Sequence, residues 1–181
     1  GNEFGYGIDL DGDTFVGGAI YSGIYDGTGY AVVYRKISGV WTEQETLQGP
    51  PNDLNSVDHF GNNVVLKNGL LAVGAPQFDE DVSGDGAGGA VVVFEEFGGV
   101  FSQTSVLTQP GGATDHQFGF SIAYDGTYLL AGVDTGIVAG SNSTPLVGSL
   151  GVDGFDGEGG VYVFGATFAC NPDGTCACMT G

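Results

Sequence analysis

The stretch Asp79-Glu80-Asp81-Val82-Ser83-Gly84-Asp85-Gly86 is where residue type and spacing come nearest to a chemical site. Oxygen donors recur at alternate residues (Asp79, Asp81, Ser83), a glycine follows at the sixth place, and Asp85 adds a donor at the seventh. A calcium ion takes six to eight oxygens at about 2.3–2.6 Å, and alternate residues of a tightly curved loop can converge on it. The ninth place is Ala87, so a ligand there is missing or is replaced by Asp85 or water. The competing reading of the same residues is a solvated acidic turn. Asp153, Asp156 and Glu158 form a second, looser acidic group further along the chain.

Other reactive residue types are arranged less productively. Asp9, Asp11 and Asp13 imitate a calcium loop, but an Asp-Gly pair is itself a preferred hairpin turn. The histidines, His59 and His116, stand beside Asp58 and Asp115. They recur at successive repeat corners with no serine or cysteine nucleophile placed beside them, which favours corner packing over a catalytic dyad. The three cysteines, Cys170, Cys176 and Cys178, lie within nine positions. A closed zinc site needs four ligands and no histidine is near, so disulfide chemistry in an oxidising, extracellular setting is the expectation. An odd count leaves one partner beyond this segment or on another chain. Asn142-Ser143-Thr144 is a glycosylation sequon in a Gly/Ser/Thr-rich stretch. With no nucleophile–base pair, no carboxylate pair in a plausible cleft and no phosphate loop, the expectation is that the protein is not an enzyme.

The elements that would carry these residues repeat three times. Phe4-Gly5, Phe60-Gly61 and Phe118-Gly119 open the copies, and hairpin glycines Gly12, Gly69 and Gly126 follow. Short apolar runs either side of the turn read as two strands. Third strands follow at Tyr30–Tyr34, Ala90–Phe94 and Val161–Phe164, each preceded by Asp-Gly-x-Gly. Val40–Leu47 and Val100–Leu107 supply a fourth strand in the first two copies. Self-similarity at a fixed period marks each copy as one supersecondary unit that cannot bury its faces alone.

Phe-Gly at the start, Val73-Gly74-Ala75-Pro76 in the middle and the Gly89-to-Phe94 strand resemble the FG-GAP repeat, the unit of integrin α-subunit β-propellers. The resemblance runs from residue 4 to about 168. Copy one has Gly17-Gly18-Ala19-Ile20, and copy three Ala131-Gly132-Val133, in place of the middle motif. It implies an all-β chain of four-stranded antiparallel blades: 1–50, 51–110, and 111–168 with a long loop at 134–159. It also implies extracellular or cell-surface location and a protein or glycan ligand. In that family the acidic loop reads D-x-D-x-D-G-x-x-D, onto which Asp79, Asp81 and Ser83 map. The tail at 169–181, with its Asn-Pro-Asp-Gly turn, resembles the start of an EGF-like module.

Charge and composition narrow the function classes. Three basic residues oppose 22 acidic ones for a net charge of −19, which disfavours nucleic acid and anionic membranes, since both require Lys and Arg to displace counterions. No apolar run approaches the roughly 20 residues that cross a bilayer. The 41% hydrophobic content is ample for a core, and 36 glycines without a collagen period fit a fold of many turns. The chain starts at a repeat boundary, which we read as a mature or excised segment. Propellers close with four to eight blades, so three leave two apolar flanks open. The expectation is therefore a partner on those flanks: further blades, other subunits, or copies of the chain itself. Two functions follow: a calcium-binding extracellular adhesion module, or a structural subunit of a filament or surface layer.

Overall fold

The computed structural model describes residues 3–21, 28–50, 58–79, 88–109, 116–134, 149–151, 160–165, 168–170 and 176–178. For 149–151, 160, 165, 168–170 and 176–178 it describes the backbone alone. Among these residues every element is a strand. The first sheet holds β1 (Phe4–Asp11), β2 (Thr14–Ala19), β3 (Tyr30–Ile37) and β4 (Val40–Leu47) in that order. The second repeats the pattern with β5 (Val64–Lys67), β6 (Leu70–Ala75), β7 (Ala90–Phe97) and β8 (Val100–Thr108). All pairings are antiparallel, and β3–β4 and β7–β8 each carry one irregularity, after Val33 and Val93.

The third sheet departs from that plan. It contains β9 (Ser121–Tyr124), β10 (Tyr128–Val133), β11 (Ser149–Gly151) and β12 (Gly160–Gly165), ordered β11-β12-β10-β9. Its outer strand comes from inside the stretch that the sequence reads as a loop. The free edge of β12 exposes a row of unpaired N–H and C=O groups, and three residues of the preceding segment satisfy part of it. A small hairpin, β13 (Phe168–Cys170) with β14 (Cys176–Cys178), follows, with Cys170 opposite Cys176 in the backbone register.

The core lies between sheets. β6 is buried along its whole length because the second sheet is covered on both faces, so it reads as a continuous apolar run. Leu71, Val73, Val92 and Phe94 face Val16, Ala31 and Val33 of the first sheet. Ala72, Val91 and Val93 face Leu129, Ala131 and Tyr162 of the third. The first strands stand side by side, β1 against β5 and β5 against β9.

The Phe-Gly corners make the joints. Phe60 and Phe118 are fully buried. Phe60 N donates to Thr28 O, and Phe118 N to Gly88 O, each at 2.9 Å, as isolated parallel bridges onto the preceding sheet. A Cβ on Gly61 would sit 2.6 Å from Tyr30 O and 2.8 Å from Ala19 N. The facing Gly18 has Gly61 O against its own Cβ position, and Gly74 has Gly119 O. Backbone meets backbone at these joints, which only glycine permits.

Candidate interaction faces and the acidic loop

Strand register corrects two alignments made from spacing. Asp11 pairs with Thr14, and Lys67 with Leu70, so Gly12 corresponds to Asn68 and not to Gly69. In the second copy Asn68 and Gly69 both have positive φ; in the first and third, among the turn residues, Gly12 and Gly126 do. The even glycine spacing thus hides two turn patterns. Likewise His59, with φ 55°, corresponds to Gln117, with φ 52°; each directly precedes its Phe-Gly. His116 corresponds to Asp58, so the histidines are one position apart in the repeat.

Both histidines serve corners. His116 Nδ1 lies 2.8 Å from Gln109 Oε1, and Gln109 Nε2 donates to Tyr162 Oη at 3.1 Å. Gln109 and Tyr162 are both buried. Burial pushes the Tyr162 phenol up, partly offset by the Gln109 bond. The Tyr21 ring meets His59 edge-on at 4.9 Å. Burial lowers the His59 pKa, with Glu3 opposing the shift.

The acidic triplet of the first hairpin has structural partners that sequence reasoning missed. Asp9 Oδ2 accepts from Leu66 N at 2.7 Å, and Asp11 Oδ2 from Asn68 N at 2.8 Å. At the opposite edge of the second sheet, Glu45 Oε1 accepts from Phe101 N at 3.0 Å. Carboxylates of the first sheet therefore cap both free edges of the second. Arg35 joins the same seam, 3.0 Å from Glu96 Oε1 and stacked over Phe101. Both bonds span 57 residues, one more than the 56 that relate Gly12 to Asn68 (68 − 12), so each carboxylate reaches one residue past its own place in the next copy.

Asp79 closes the described part of the expected calcium loop. Phe78 N donates to Ala75 O at 3.0 Å, and Gly89 N donates to Phe78 O at 3.0 Å, so the two ends of the acidic stretch are clasped between β6 and β7. Asp81, Ser83 and Asp85 lie outside the described residues, as do Asn142, Asp153, Asp156 and Glu158. Among the described residues, no group of three His, Cys, Asp or Glu side chains could hold a metal ion. The donor chemistry of Asp79, Asp81, Ser83 and Asp85 is all oxygen, which suits a hard cation.

Two sheet faces carry exposed apolar side chains. On the first sheet, Ile8 is 71% exposed and Leu10 58%, where the corresponding Val64 and Leu66 are each 4% exposed. Phe4, Phe15, Tyr34 and Trp41 share this side: Phe15 stacks on Tyr34 at 4.6 Å, with Trp41 edge-on to Phe15 at 5.0 Å. On the third sheet, Tyr128 and Val161 are exposed on the side away from the second sheet.

Residues 41–94 match the family model described as FG-GAP repeat. The match begins in β4 and ends in β7, so it straddles the first joint and includes the Phe60-Gly61 corner. A comparison with curated proteins finds no match. The repeat points in general to an integrin-like, extracellular, adhesion-type module of non-enzymatic fold, and such repeats often bind calcium. No helix among the described residues is long and apolar enough to cross a membrane.

Proposed function

We propose, from the premise that residues 41–94 form an FG-GAP repeat, that this chain is an extracellular interaction module whose blade loops hold calcium and engage a protein or glycan ligand. The clasp between Phe78 and Gly89 is the observation that carries it, since it holds together the two ends of an oxygen-rich stretch of sequence at a sheet end. Asp79, Asp81, Ser83 and Asp85 would hold the ion, with Asp153, Asp156 and Glu158 as a looser second set. The ion would draw the loop's carboxylates together and so set the shape offered to a ligand. Asn142 would carry a glycan, and Cys170, Cys176 and Cys178 would form disulfides in an oxidising medium.

The test is thermal unfolding of the wild type and of Asp79→Asn/Asp81→Asn, with calcium and with EDTA. A ligand at about 100 times its Kd stabilises by about 2.7 kcal/mol, or roughly 5–10 °C at this chain length. The double variant is expected to lose that increment in calcium and to match the wild type in EDTA. Equal loss in both media would mean that the loop holds no ion.

The open apolar faces favour a second reading: a structural subunit of an extracellular filament or surface layer that assembles through its flanks and cysteines. Exposed apolar patches of this kind mark interaction sites.

A further inference from the structure

We propose that Cys170 and Cys176 form a disulfide with each other and that Cys178 takes no part in it. This deepens the reading of disulfide chemistry in an oxidising medium and rests on it. The backbone register of the β13–β14 hairpin carries the assignment. Phe168 pairs with Cys178, Ala169 with Ala177 and Cys170 with Cys176.

Any two of the three cysteines could pair, and the register separates the choices. Directly opposed residues of an antiparallel pair have Cα atoms about 4.5–5.5 Å apart. A disulfide bridges Cα atoms about 4.4–6.8 Å apart, so Cys170 and Cys176 stand within its reach. Cys170 and Cys178 are diagonal neighbours, a separation of about 7–8 Å that a disulfide does not span without backbone movement. Cys176 and Cys178 lie on one face of β14, with Ala177 between them. A rise of about 3.3 Å per residue sets such a pair close to the upper limit. Neighbours on one face of a strand also project side by side, which keeps their Cβ atoms far beyond the roughly 3.5–4.5 Å that the bond requires.

The hairpin is also an element that needs a staple. β13 and β14, Phe168–Cys170 and Cys176–Cys178, pair with one another and with no other strand among the described residues. A lone two-stranded hairpin is marginal at best in water. Cys170 and Cys176 flank Asn171-Pro172-Asp173-Gly174-Thr175, a run of turn-forming residues, so their bond closes the shortest loop across the two strands.

The oxidant is a small disulfide such as glutathione disulfide. One cysteine thiolate attacks it, which releases one glutathione and leaves a mixed disulfide on the protein. The second cysteine thiolate then attacks the protein sulfur and displaces the other glutathione. Two protein thiols thus give up two electrons and two protons, and one glutathione disulfide becomes two glutathione thiols.

The experiment sets Cys170→Ser, Cys176→Ser and Cys178→Ser, each retaining one pair, in a series of glutathione redox buffers. Iodoacetamide caps the remaining thiols, and the mass of the monomer reads the fraction that has closed its pair. Cys178→Ser is expected to close with an equilibrium constant at least about tenfold above those of the other two. In the wild-type monomer, peptide mapping should place the iodoacetamide label on Cys178 and leave Cys170 and Cys176 linked. A constant for Cys170→Ser or Cys176→Ser within about tenfold of the Cys178→Ser value overturns the pairing while leaving disulfide chemistry standing. A wild-type link that includes Cys178 within the monomer does the same. If no pair closes even in excess glutathione disulfide, the pairing and the disulfide reading fall together.

Discussion

Gly5 and Gly61 have nearly the same backbone conformation, φ 92° and 95°, and opposite surroundings. An alanine at either position bears the left-handed cost of about 1–2 kcal/mol. At Gly61 the methyl also meets Tyr30 O and Ala19 N, which adds overpacking of about 1–3 kcal/mol. Urea unfolding of Gly5→Ala and Gly61→Ala should therefore separate them, with Gly61→Ala the more damaging by at least about 1 kcal/mol. His59 provides a pH test. Burial holds its folded pKa below the ordinary value of 6.5, so the unfolded chain binds the proton more readily. Stability contributed by neutral His59 is present above that ordinary value and declines as pH falls below it. Melting curves between about pH 7.5 and 5 should show a shallower decline for His59→Gln than for the wild type. Parallel slopes would assign the acid sensitivity to other groups.

At the scale of strands and sheets, the seam between the first two sheets is more polar than an apolar repeat suggests. Asp9 and Glu45 satisfy edge N–H groups of β5 and β8 that would otherwise invite another strand, and Asp11 satisfies that of Asn68 in the turn after β5. Removing one such acceptor leaves a part-buried donor unsatisfied, a cost of about 1–2 kcal/mol. Asp9→Ala should lower the urea midpoint accordingly with an unchanged m value, because the loss lies in the folded state. Asp125 works within its own hairpin instead: it accepts from Thr127 N at 2.7 Å and Tyr128 N at 2.8 Å, which holds its carboxyl below the usual range. Much of this was hidden in the sequence, where an aspartate in a hairpin looks the same whether it serves its own turn or the neighbouring sheet. Only the register, with Gly12 opposite the place of Asn68, shows which it does.

For the whole molecule, charge and apolar surface pull in opposite directions. A net charge of −19 on 181 residues disfavours the compact state by self-repulsion and keeps copies apart. Raising salt from about 0.02 to 0.5 M shortens the screening length several-fold, and the melting temperature should rise by about 2–8 °C. A scan that stays flat across that range would mean that bound cations or local bonds already neutralise the field of the acids.

The sequence by itself determined the class of fold, three repeated units and the Phe-Gly corners, because turn glycines, apolar strand runs and a near-constant period are local chemistry written in order along the chain. It also marked Asp79 to Asp85 as the cation candidate through donor spacing alone. Tertiary structure decided what no local pattern encodes: that β11 completes the third sheet from within a loop, that carboxylates of one sheet cap the edges of the next, and which apolar faces stay uncovered. Ile8 and Val64 are both apolar β-branched residues at one place in the repeat, and a neighbouring sheet alone makes one core and the other surface. Burial belongs to pairs of sheets, so it is read only once they are packed.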